Sequence, residues 1–201
     1  MNAKHMILIK CLFVILLCLS GCVSNPNSAL VVSESSGSPK PTVDAISMPS
    51  GIDESKLSDQ HAFEGYIVKK EDSRILVVER RSTDYSANGG MSDFYSAIWF
   101  SEVTANVEIG QQVKIWIKYG ELMDSYPQQG EAEHLVVKSG LQPEGATMSE
   151  AKAIRQALSS LSDENWEIPI IKDVNYDATD STWKIFIGQN GDNSGKEIIT
   201  K

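Results

Sequence analysis

Residues 63–79, FEGYIVKKEDSRILVVE, decide the fold. Two runs, 63–69 and 74–79, are rich in the β-branched and aromatic residues that suit a pleated strand, and Lys70-Glu71-Asp72-Ser73 between them suits a turn, so the stretch predicts a β-hairpin. Outward from it, residues 96–101 (SAIWFS) predict a third strand. Residues 112–119 (QVKIWIKY) set Val113, Ile115 and Ile117 on one face and Lys114, Trp116 and Lys118 on the other, the two-residue period of a strand with one buried face. Residues 133–138 (EHLVVK) supply a fifth strand. Five short strands within residues 61–140 predict a small closed or partly closed barrel, because closure removes exposed edges. An OB-like barrel fits best by count and size. It leaves only residues 102–109 for the helix such barrels usually carry between the third and fourth strands.

Pro143 and Gly145 mark a linker before a second unit, residues 146–201. Thr147-Met148-Ser149-Glu150 has the form of a capping box, in which the threonine hydroxyl takes a first-turn N–H and the glutamate reaches back. Ala151, Ile154, Leu158 and Leu161 recur at helical spacing and predict a helix over 148–161. Residues 166–176 and 182–188 read as two strands, with Trp183, Ile185 and Ile187 on one face of the second. The predicted class is mainly β with an α+β C-terminal unit: a five-stranded OB-like barrel, then one helix and a hairpin. A helix on a hairpin has a marginal core alone, so it needs the barrel or a partner to pack on.

The N-terminus carries an address. Lys4, His5 and Lys10 precede the apolar run 11–19 (CLFVILLCL), and Leu19-Ser20-Gly21-Cys22 follows. The run is too short to span a bilayer, which takes about 20 apolar residues, and no Ala-x-Ala cleavage site follows closely. The tetrapeptide resembles the lipobox of bacterial lipoproteins. That resemblance implies a signal peptide over residues 1–21, cleavage between Gly21 and Cys22, and a diacylglyceryl lipid on Cys22 that holds the protein on the extracytoplasmic face of the cell membrane. Residues 22–60, rich in Ser, Pro, Gly and Asp, then read as a disordered tether. About 35 flexible residues reach roughly 30 to 35 Å, which keeps the folded part near the membrane without pressing it against the surface.

Charge and cysteine content narrow the function. Removing residues 1–21 leaves 16 basic against 27 acidic side chains, a net charge of −11. Such a body repels phosphate backbones and anionic headgroups, so nucleic acid is excluded as an expected partner. The three cysteines are Cys11, Cys18 and Cys22, so the mature chain retains one, which the lipid consumes, and no disulfide is expected.

The segment 63–138, with FEGYIV near its start, SAIWFS in the middle, and Gly110-Gln-Gln-Val-Lys-Ile-Trp116 leading to Asp124-Ser125-Tyr126-Pro127, resembles the YobA-like domain-of-unknown-function family 3221 of lipoproteins from Bacillus-type bacteria. The resemblance covers a little over a third of the chain. It implies a lipid-anchored, extracytoplasmic protein of a Gram-positive cell. The family has no established activity, so no catalytic residue is carried over.

The residues themselves give little sign of catalysis. His61 and His134 lack the close spacing that puts two metal ligands on one face, and neither a metal nor a cofactor is expected. Asn190, Asp192, Ser194 and Gly195 imitate the start of a calcium loop, but Lys201 stands where its closing glutamate is required. Nucleophile elbows and phosphate loops are missing from the sequence. Lys114, Trp116, Lys118 and Tyr126 form a candidate binding surface, since an outward tryptophan between two lysines offers apolar area with cation–π capacity. Alternatively the C-terminal unit covers Trp116, the favoured reading, while Trp99 and Trp183 belong to the core. The expected function is a non-enzymatic binding or adaptor module for an envelope protein or small ligand. The alternative is an envelope-polymer hydrolase with a carboxylate pair drawn from Glu64, Glu79, Glu102, Glu131 and Glu133.

Overall fold

The computed structural model describes residues 59–138, 140–162 and 166–201. Cys22, the signal peptide and nearly all of the tether lie outside the described residues. Among the described residues no helix is long and apolar enough to cross a membrane.

Strands β1 (Ala62–Glu71), β2 (Arg74–Glu79), β3 (Ala97–Ser101), β4 (Gln112–Ile117) and β5 (Gln128–Val137) close into a barrel in the order β1-β2-β3-β5-β4. All neighbours run antiparallel except β3 and β5, which pair parallel from Ile98↔Gln128 to Ser101↔Glu131. The expected OB-like barrel is present. Its interior is set by strand alternation: Ile75 and Val77 of β2, Ile98 and Phe100 of β3, and Val113 and Ile115 of β4 are all essentially inaccessible to solvent.

No helix forms between β3 and β4. The loop there plugs the barrel instead, inserting the fully buried Val107 between the partly buried Ala105 and Ile109. Its carbonyl accepts from Lys70 Nζ at 2.7 Å. The loop ends at Gly110, whose φ is +91°, and a Cβ there would stand 2.2 Å from the Ala151 carbonyl oxygen, so only glycine lets the C-terminal helix approach this closely.

That helix, α1 (Glu150–Ser159), is shorter than predicted, and its cap differs. Ser149, not Thr147, is the N-cap, accepting from the Lys152 N–H at 3.4 Å. Glu150 faces the barrel and accepts from the Tyr66 hydroxyl at 2.7 Å rather than closing a capping box. Behind α1 the predicted hairpin is a three-stranded antiparallel sheet, β6 (Ile170–Asp177), β7 (Thr182–Gln189) and β8 (Asp192–Thr200), with β7 central. Residues 190–195, the calcium-loop mimic, form the β7–β8 turn and the start of β8.

The C-terminal unit packs on the barrel. Tyr66, Val68, Leu76, Val78, Tyr95 and Ala97 share a second apolar core with Ala153, Ile154 and Ala157 of α1 and Ile170, Trp183, Ile185 and Ile187 of the sheet. This double burial explains why residues 75–78 are four consecutive apolar residues without alternation: inward ones fill the barrel and outward ones meet α1 and the sheet. Polar ties reinforce the joint. Trp183 Nε1 donates to the Met148 carbonyl at 3.2 Å, Lys172 pairs with Asp93 at 2.9 Å, and the Asn190 amide both accepts from the Tyr95 N–H and donates to the Tyr95 carbonyl.

Candidate binding groove

The outer face of β4 does not assemble the predicted Lys-Trp-Lys platform. Trp116 is 3% exposed, its ring 5.3 Å from that of His134, the residue opposite it in β5, with the Lys114 ammonium 4.9 Å from the ring centroid. Among the described residues its Nε1 has no hydrogen-bond partner. Trp116 is not part of the core shared with the C-terminal unit, which packs on β1, β2 and β3; the one-turn 3₁₀ helix Asp59–His61 lies beside β4, and Asp59 pairs with Lys114. A register shift between Trp116 and Ile117 then breaks the alternation that would have aligned Lys118 with Lys114.

Lys118 therefore enters a 3₁₀ turn, Lys118–Gly120, where its ammonium meets Glu131 at 2.6 Å. The hydrogen bond and charge of Glu131 raise its pKa above the ordinary lysine value. Tyr119 follows in the left-handed region, φ 56° and ψ 6°, with 78% of its surface exposed. Gly120 continues at φ +68°, where a Cβ would come 2.6 Å from the His61 ring, so the turn needs glycine at this point.

Beside this turn lies an open groove of about 580 Å³. Its strand side comes from Arg74 of β2, Trp99 of β3 and Gln129 of β5, and its loop side from Lys118, Tyr119 and Met123. Trp99 belongs to the core only in part, packing against the edge of the second core. It sits half-buried on the outer face of β3, in register with Gln129, and the Arg74 guanidinium lies 4.7 Å from its ring centroid. Trp183 does occupy the core. In OB-type barrels the β2–β3 face and the β4–β5 loop commonly bind ligands; here the core shared with the C-terminal unit buries the outward residues Leu76, Val78 and Ala97 and packs against one side of Trp99, which elsewhere lines the groove.

Tyr126 lies apart from Lys114 and Trp116. Its hydroxyl accepts from Asn190 Nδ2 at 2.6 Å and donates to the Tyr95 carbonyl at 3.3 Å, and its ring is 5.4 Å from Phe94. Partial burial raises its pKa, with the Asn190 hydrogen bond opposing. The residue ties the β4–β5 loop to the β7–β8 turn.

The candidate carboxylates are distributed over three places. Glu64 and Glu79 line a charged cleft with Arg80, Arg81 and Lys114; Glu102 and Glu133 flank His134; Glu131 reaches the groove. Glu121, which the sequence reading passed over, also lines the groove. Among the described residues no three His, Cys, Asp or Glu side chains are grouped to hold a metal ion. Tyr119 was likewise missed, because alternation marks which residues face outward but not which of them a neighbouring segment then covers.

Residues 64–137, from within β1 to the end of β5, match the model of a family described as a protein of unknown function (DUF3221). No curated protein and no solved structure matches the chain.

Proposed function

We propose that this chain is a lipid-anchored, extracytoplasmic binding protein of a Gram-positive, Bacillus-type cell, and that its ligand, a small molecule or part of an envelope protein, enters the groove between Trp99 and Tyr119. The anchoring half rests on Leu19-Ser20-Gly21-Cys22 behind a short apolar run. The binding half rests on one observation: Tyr119 holds a bulky aromatic side chain at φ 56° in solvent. A non-glycine residue there costs of order 1–3 kcal/mol, and an exposed ring recovers little of it by burial, so the conformation is best explained by what the ring contacts when the groove is filled. Trp99, Tyr119 and Met123 supply the large, adaptable surface that dominates binding energies.

Hydrolysis of an envelope polymer is the second reading, and Glu121 and Glu131 in the groove favour it. A glycosidase acid must hold its proton near neutral pH, usually through burial. Both carboxylates are exposed, and Glu131 is paired with Lys118, which supports binding over cleavage.

The anchor is tested by Cys22→Ala. Radiolabelled fatty acid should vanish from the variant, which should leave the membrane fraction or persist as unprocessed precursor; label retained on the variant would refute the lipobox.

A further inference from the structure

We infer that β8 is a self-association edge, where the strand pairs antiparallel with β8 of a second copy of this chain and joins two three-stranded sheets into one. Among the described residues β8 is hydrogen-bonded on one side only, to β7, and residues 194–197 and 199 are exposed along it. An open edge offers a row of backbone N–H and C=O groups to another strand unless something blunts it. Nothing of that kind interrupts β8: it carries no proline, and its register with β7 runs unbroken from Gly188↔Gly195 to Trp183↔Thr200.

What the edge presents decides the partner. Glu197 and Ile199 stand opposite Phe186 and Lys184 of β7, on the face turned away from the core that Trp183, Ile185 and Ile187 fill. Ile199 is 58% exposed there. Lys184 is already held by Asp177 at 2.8 Å, so Glu197 gains from a further cation. Two copies of one strand paired antiparallel are related by a two-fold axis normal to the sheet. With that axis at Ile199, Ile199 meets its own copy, and Glu197 meets the copy's Lys201, the next residue on this face once the strand runs one residue further; the charge pair forms twice. An axis at Glu197 or Lys196 sets like charges face to face, and one at Ile198 sets Glu197 against Ile199. β6, the opposite edge of the sheet, lacks this self-complementarity. None of its apolar side chains is exposed, and an axis at Asn175 would oppose Asp173 and Asp177. The β8 contact is isologous and closes at two copies. Five residues a side bury far less than the about 1,600 Å² of a standard interface, so the pairing is weak and is best read by covalent trapping.

The test places single cysteines in the full chain in mild detergent and reads disulfide-linked dimer after gentle oxidation, with the unsubstituted chain as the baseline for its own cysteines. Ile199→Cys should give dimer above that baseline, because residues directly opposite bring their Cβ atoms to about 4.5–5.5 Å. Glu197→Cys should give none, since its two copies stand about 14 Å apart in this register, and neither should Asn175→Cys on β6. Within Ile199→Cys, Glu197→Lys or Lys201→Glu alone should lower the yield of dimer, and the two together should restore it. All four positions are exposed, so the fold stands in every variant. A yield from Glu197→Cys or Asn175→Cys equal to that from Ile199→Cys, or a loss that the double charge reversal fails to restore, would overturn the pairing.

Discussion

The Tyr66 hydroxyl lies buried where barrel and helix meet and donates to the Glu150 carboxylate at 2.7 Å. Burial first, and then the Glu150 charge and hydrogen bond, raise its pKa well above the ordinary tyrosine value, with Arg80 opposing. An unfolded tyrosine titrates near 10. Above that pH the unfolded chain therefore binds fewer protons than the folded one, and stability falls as pH rises toward the folded pKa. Tyr66→Phe should cost about 1 kcal/mol at neutral pH, since Glu150 stays partly in water, and should flatten the decline above pH 10. Urea melts of both proteins at pH 7 and above pH 10 test this; equal alkaline slopes would contradict it. At this scale the sequence was only partly readable. Trp116 could be placed outward from its period, but its burial beside His134, which strand pairing sets opposite it, is not written in that period. The site lay three residues on, where Tyr119-Gly120 carries the only local sign: an aromatic followed by glycine at a strand's end.

Elements were legible where burial writes them. β2 occurs at the predicted residues, and β1, β3, β4 and β7 fall within about two residues of theirs, because each buries apolar side chains on at least one face. The first half of β5, residues 128–132 (QQGEA), was missed: it is held by parallel hydrogen bonds to β3 rather than by burial. β8 was missed for the same reason, as an edge strand whose residues are mostly exposed. The central strand β7 shows the opposite case. Ile185 is fully buried in the second core, and Ile185→Ala should cost about 2–5 kcal/mol. Thermal melts followed by near-UV circular dichroism check this, and a loss below 1 kcal/mol would mean that the sheet packs loosely.

The whole folded region is joined by its second core. The uninterrupted apolar run 75–78 was the sequence's clue that β2 is covered on both sides, but it could not say by what; the exterior of the barrel turns out to be the partner that the helix and sheet require. That packing leaves a groove at Trp99 and Tyr119 open to solvent. If the groove is where the protein works, a photoreactive benzoylphenylalanine in place of Tyr119 should form an adduct in intact cells. The same group in place of Leu141, also exposed but on the linker before α1, should not. The account predicts an adduct at 119 alone, with membrane localisation unchanged. Equal adducts at both positions, or none at 119, would contradict it.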